Sequence, residues 1–241
     1  MRLARTLASF QRLRILSRPA VAGEKSPTRL GRELQMPLNS LSGHLAKLAA
    51  AGLMKRRHSG RWSYCVADSP YSPSTPSGRT AAWLSKVLST PKRALRDCGD
   101  EEFHRLSAEE VQTRVQKLVF EAATAFTDLR RVQILRHLAT GGEVTVEALG
   151  QELSMSESAI SRHTNKLMRR DYLSTARPLD LRTPRATVAG SCAGANRRNP
   201  SLRSAGQSAL YRLAPKFKTP IYAGLFEIVR STWSQRKVRT S

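Results

Sequence analysis

Cysteine is scarce in this chain. Its 241 residues hold three, Cys65, Cys98 and Cys192, with no CxxC pair and no even count. That excludes a disulfide framework and fits a reducing compartment. Aromatic residues make up only 6%, which points to small compact units. No apolar run approaches the roughly 20 residues that cross a bilayer, so no membrane partner is expected. Acidic side chains are few: Asp and Glu number 18 against 41 Lys and Arg, for a net charge of +23. The usual signatures of catalysis are missing as well. There is no Walker loop, no GxGxxG after a strand, no HExxH and no GxSxG turn. "GSCAGA" around Cys192 lies in a stretch too irregular to hold a nucleophile, and "DEEFH" (Asp100 to His104) reads as linker. Neither an enzyme nor a cofactor is expected.

What is abundant is positive charge, and it is concentrated. Residues 1–67 carry a net +11 and residues 175–218 a net +8, whereas 68–126 balance at zero and 127–174 give +1. Such an excess favours a polyanion as partner, nucleic acid first. The first 23 residues contain five arginines and no acid. That composition occurs in targeting presequences and in ordinary basic helices. The recurrence of "FQRLRIL" (Phe10 to Leu16) as "LRRVQIL" (Leu129 to Leu135) favours the helix.

That recurrence is part of a longer one. A shift of 119 residues aligns Phe10–Met54 with Leu129–Leu173 without a gap, and 15 of the 45 pairs are identical. "LGRELQM" meets "LGQELSM", and Ser42, His44, Lys47 and Leu48 meet Ser161, His163, Lys166 and Leu167. The chain therefore reads as two copies of one module. In the second copy Asp128 caps a helix that the "TGGE" turn stops, a short helix runs from about Val146 to Leu153, and a third starts after Ser156. The first copy gives Phe10–Arg18, Thr28–Leu34 and Leu38–Ala51, closed by Gly52. Two short helices joined by a tight turn, the second amphipathic, make a helix-turn-helix signal.

"LMKRRHSGRWSYCVA" then predicts a hairpin turning at "HSG", and "SALYRLA" (Ser208 to Ala214) the returning strand of the second copy. Between them lies an Arg-, Ser-, Pro- and Gly-rich insertion, 175–207, too polar to pack and read as a flexible wing tip. The fold class expected is mainly α with small β-wings: tandem winged helix-turn-helix domains. The first domain spans 1–90 and ends in a helix at 77–88, which the Pro/Ser stretch "SPYSPSTPSG" precedes. A linker covers 91–106, and the second domain spans 107–241 with a final helix at 219–235. Ser107 opens a capping box, "SAEE", on a helix reaching about Phe126. Its stripe of Val111, Val115, Leu118, Val119 and Ala122 suits either a core or a dimer seam.

"LGRELQMPLNSLSGHLAKLAAAGLM", followed by "KRRHSGRWSYCVA", resembles the ArsR-type winged-helix transcriptional regulators, and residues 125–214 resemble them over their first three helices. The resemblance implies duplex DNA as partner, regulation of transcription (most often repression), a bacterial cytoplasmic protein associated with the nucleoid, and dimerisation elements in the flanking helices. Two departures stand out. Family members carry one module and pair as homodimers, so this chain forms either an intrachain pseudo-dimer or a homodimer of four modules. Metal-sensing members cluster Cys, His and carboxylates, and no helix here pairs such ligands at i, i+4, so no metal is expected. A tandem winged-helix plasmid replication initiator and a winged-helix protein-interaction scaffold remain as alternatives.

The recognition helices carry the candidate site. On a 100° wheel Leu41, Leu45 and Leu48 point inward, and Asn39, Ser42 and Lys47 point outward with Gly43 and Ala46. In the second copy the outward arc is Ser158, Ser161, Arg162, Asn165 and Lys166. His44 and His163 fall at the edge of the buried stripe and are included as DNA contacts. Arg fits guanine O6 and N7, and Asn fits adenine N6 and N7, with two hydrogen bonds each. Arg162 and Asn165 are thus placed to read bases. The first copy, with Gly43 and Ala46 there, relies on its wing cations Arg56, Arg57 and Arg61, which suit phosphates.

Overall fold

The structure, a computed structural model, describes residues 2–176 and 210–237. The chain opens with α1 (Arg2–Leu7), α2 (Phe10–Ala22), α3 (Pro27–Leu34) and α4 (Leu38–Ala50). A hairpin of β1 (Lys55–Ser59) and β2 (Trp62–Val66) follows, then α5 (Pro76–Ser89) and α6 (Pro91–Asp97). After a 3-10 turn at Glu102–Arg105 come α7 (Ala108–Ala125), α8 (Leu129–Gly141), β3 (Val144–Thr145), α9 (Val146–Leu153) and α10 (Glu157–Met168). The chain closes with β4 (Leu173–Ala176), β5 (Leu210–Leu213), a 3-10 turn at Pro215–Lys218, and α11 (Pro220–Lys237). The fold is mainly helical, with two small antiparallel sheets, as the winged helix-turn-helix pattern requires. The expected wing insertion lies outside the described residues from 177 to 207, Cys192 included.

Local chemistry sets the helix ends. Ser26 accepts from the Arg29 N–H at the start of α3, with Pro27 at the first helical position. Asp128 accepts from the Arg130 and Arg131 N–H groups of α8, and Ser156 from the Ala159 N–H of α10. Ser107 and Glu110 close the expected capping box of α7. At α4 the cap position is Pro37, which offers no side-chain acceptor.

The first two helices of each half coincide under the 119-residue shift, and α4 and α10 start at matching residues. Helices 10–22 and 27–34 meet 129–141 and 146–153 residue for residue. Gly23 and Gly142 both turn the chain at φ 74°, a conformation that suits glycine. Gln35 and Ser154 both end their helices left-handed, at φ 53° and 49°. Even the third strand recurs: β3 joins β5 and β4 in the order β3-β5-β4, and Lys25, at the position of Val144, bridges Cys65 beside the β1-β2 hairpin. In that hairpin Ser59 pairs with Trp62, so the turn is Gly60–Arg61.

One hydrophobic core runs through the whole fold, from Leu7 and Leu13 to Tyr222 and Phe226. The expected α7 stripe is buried at Val111, Val115, Val119 and Ala122, with Leu118 partly covered. This helix packs against α1, α2 and α11. Gln116 donates to Ser17 Oγ at 2.8 Å, a buried link between α7 and α2. Helix α5 packs on α11, where Gly224 lies so close to Trp83 that a Cβ would stand 2.6 Å from its Nε1. Phe126, Phe217 and Phe226 stack edge and tilted within the second half. Glu121 ties the same region together, receiving bonds from the Tyr172 hydroxyl at its carbonyl (2.6 Å) and from Tyr222 and Lys216 at its carboxylate (3.0 Å each).

The stretch 91–106, expected as a linker, is folded. Helix α6 packs on α7 and buries Leu95, and Phe103 is buried beneath the Arg96 guanidinium. Among the described residues no helix is long and apolar enough to cross a membrane.

Candidate nucleic-acid interface

Helix α10 divides as its sequence predicts. Ile160, Thr164 and Leu167 are buried, and Ser158, Ser161, Arg162, Asn165 and Lys166 form one exposed face. Neither Arg162 nor Lys166 has an ion pair among the described residues. Their charge is open to a ligand. On α4 the inward residues Leu41, Leu45 and Leu48 are buried, and Asn39, Ser42 and Lys47 are exposed with Gly43 and Ala46.

The two histidines depart from the expected face. His163 is only 8% exposed, so most of its ring lies against the core rather than on the outward face. Its Nδ1 lies 3.8 Å from Asp128 Oδ1, too far for a hydrogen bond, and has no other partner. Burial holds the imidazole below its ordinary pKa, against the pull of the Asp128 charge. The neutral form is therefore favoured, and the Asp128 contact is not a formed ion pair. His44 is half-buried with its Nδ1 covered and unpartnered. Burial, then the charges of Arg12 and Lys47, lowers its pKa too. Each histidine thus feels the charge of the arginine of its own first helix, Arg12 or Arg131, and burial lowers the pKa of both arginines. The sequence held a signal for this, since both histidines and both arginines recur at the same shift.

The first wing also sorts its cations. Arg57 is engaged: its guanidinium grips the Glu24 carboxylate through two donors, Nε at 2.7 Å, and lies over the Tyr64 ring. It is not one of the open wing cations. Arg56 and Arg61 are exposed and have no ion pair among the described residues. Next to Arg61, at the tip, stands Trp62, 67% exposed. Its place beside the two-residue turn Gly60–Arg61 leaves it open. In the second half Arg212 lies 3.6 Å from Glu143, the residue at the position of Glu24. Each wing is therefore braced to the loop after the first helix of its half.

Exposed cations on a rigid helix, hydrogen-bonding side chains beside them and a basic hairpin at the flank suit the grooves and phosphates of duplex DNA. Comparison with known proteins is consistent with that chemistry. A family profile described as MarR family matches residues 127–182, which include α8, α9, α10 and β4. No curated protein and no solved structure is significantly similar to the chain. The described fold of the second half, with the match over 127–182, supports a winged helix-turn-helix domain there and a DNA-binding transcriptional regulator.

Proposed function

We propose that the chain binds duplex DNA sequence-specifically through two winged-helix modules in tandem, as a repressor of the ArsR or MarR kind in the bacterial cytoplasm, associated with the nucleoid. The observation that carries this is the exposed face of α10, where Ser158, Ser161, Arg162, Asn165 and Lys166 stand together on one side of a helix anchored by Ile160, Thr164 and Leu167. The matching helix bounds and turn angles at a shift of 119 residues support the tandem reading. The packing of α7 on α1 and α2, and of α5 on α11, supports an intrachain pseudo-dimer over a homodimer. In that arrangement the second module reads bases, and the first contributes phosphate attraction through Lys47, Arg56 and Arg61, with Asn39 and Ser42 beside them. Recognition helices in successive major grooves stand about 34 Å apart. We assign no catalytic role, cofactor or metal.

Selection of bound duplexes from a random pool, followed by sizing of the complex, tests this. One enriched sequence bound by a single chain supports the proposal. Enrichment of repeated origin-like sites would indicate a replication initiator instead. The absence of any enriched duplex would leave the protein-interaction scaffold and overturn the DNA reading.

A further inference from the structure

Four cations line one cavity beside α4. It measures about 370 Å³ and is lined by Arg2, Arg5, Thr6, Arg12, Lys47 and Ala50, with no acidic residue among them. Arg2 and Arg5 are exposed and lie one turn apart on α1; Lys47 comes from the last turn of α4. Arg12 is fixed between them: its Nε donates to the Thr6 carbonyl at 2.5 Å and its Nη2 to the Arg5 carbonyl at 2.9 Å. These are carbonyls of the last turn of α1, which the helix itself leaves without N–H partners. Arg12 thus locks α1 against α2 and keeps Nη1 as its remaining donor edge. None of the four cations has an ion pair among the described residues.

Like charges held around one space repel unless an anion joins them. Guanidinium groups match phosphate oxygens in geometry, and an ammonium adds a point charge. The equivalent places in the second half are occupied by Glu121, Thr124, Arg131, Lys166 and Arg169. There Glu121 is engaged with Lys216 and Tyr222. The second half therefore lacks this all-cationic cavity.

We infer that the cavity formed by Arg2, Arg5, Arg12 and Lys47 is a phosphate site that clamps the DNA backbone beside the first recognition helix. The inference rests on the DNA reading above, because Lys47 belongs both to the cavity and to the outward arc of α4. It gives the first module, whose recognition arc carries Gly43 and Ala46, a grip that needs no base contact. The N-terminal helix becomes part of the interface.

The test compares the full chain with its R2A/R5A variant, both arginines being exposed, after circular dichroism shows equal unfolding temperatures. Duplex affinity is titrated across salt. Loss of two phosphate contacts lowers the slope of log K against log salt by about 2, with sequence preference unchanged. An equal slope, in a wild type that binds duplex, overturns the clamp. If the wild type binds no duplex, the DNA reading fails separately, and tripolyphosphate is titrated instead. Binding by the wild type that the variant loses supports a site for free phosphate compounds. No binding overturns the phosphate site itself.

Discussion

On the proposed DNA reading, Arg162 and Asn165 are the residues of α10 able to distinguish base pairs, and both are exposed. Replacing Arg162 with Ala should cost ~1–3 kcal/mol on the preferred duplex and relax selection at one position. Binding to every single-base variant of that duplex would show it. Arg57→Ala should weaken binding less than Arg61→Ala, because Glu24 already neutralises Arg57. Equal losses for the two would mean that the ion pair opens on DNA. The histidines define a pH response. Burial lowers the pKa of both His44 and His163, while the unfolded chain titrates near 6.5. The unfolded state then binds more protons, so stability is full above about pH 7, is lost as pH falls through 6.5, and levels off below the folded values. Thermal unfolding between pH 7.5 and 5.5 should show the decline, and H44Q/H163Q should flatten it. At this scale the sequence was partly legible. A helical wheel separates inward from outward residues, but an edge position depends on the neighbouring helix, here α8 with Asp128 and Arg131. The grip of Arg57 on Glu24 joins residues far apart in sequence, which periodicity cannot reveal.

Helix ends illustrate what is local and what is not. Ser156 caps α10, whereas Pro37 at the same place in the first half leaves α4 without a side-chain acceptor. Ser156→Ala should cost ~1 kcal/mol of stability, and Pro37→Ser should stabilise by a similar amount. Denaturant midpoints at unchanged slope would measure both, and a destabilising P37S would show that the proline serves the turn better than a cap would. Caps, turn glycines and apolar periodicity act over three or four residues, so the positions of α2, α3, α4, α8, α9 and α10 were readable to within a few residues. Helix α6 was not: it has seven residues, and burial of Leu95 and packing on α7 hold it. Its stability comes from tertiary contact rather than from its own sequence.

Across the whole molecule the flanking helices of the two halves pack on one another, α5 on α11 and α7 on α1 and α2. At that seam Gly224 leaves no room for a Cβ beside Trp83. Gly224→Ala would place a methyl group 2.6 Å from the indole nitrogen and should cost ~1–3 kcal/mol by overpacking. A lowered unfolding temperature checks this; an unchanged one would mean that the indole swings aside freely. Because one core links the two halves of the chain, the two modules of the proposed tandem would be spaced by packing rather than by a tether. A homodimer must present the same face twice, and its operator inherits that two-fold symmetry as a palindrome. A single chain with Arg162 and Asn165 on one side and Gly43 and Ala46 on the other is under no such constraint. On the proposed tandem reading its operator has a direction, with an informative half and a permissive half, and reversing one half-site should not be neutral.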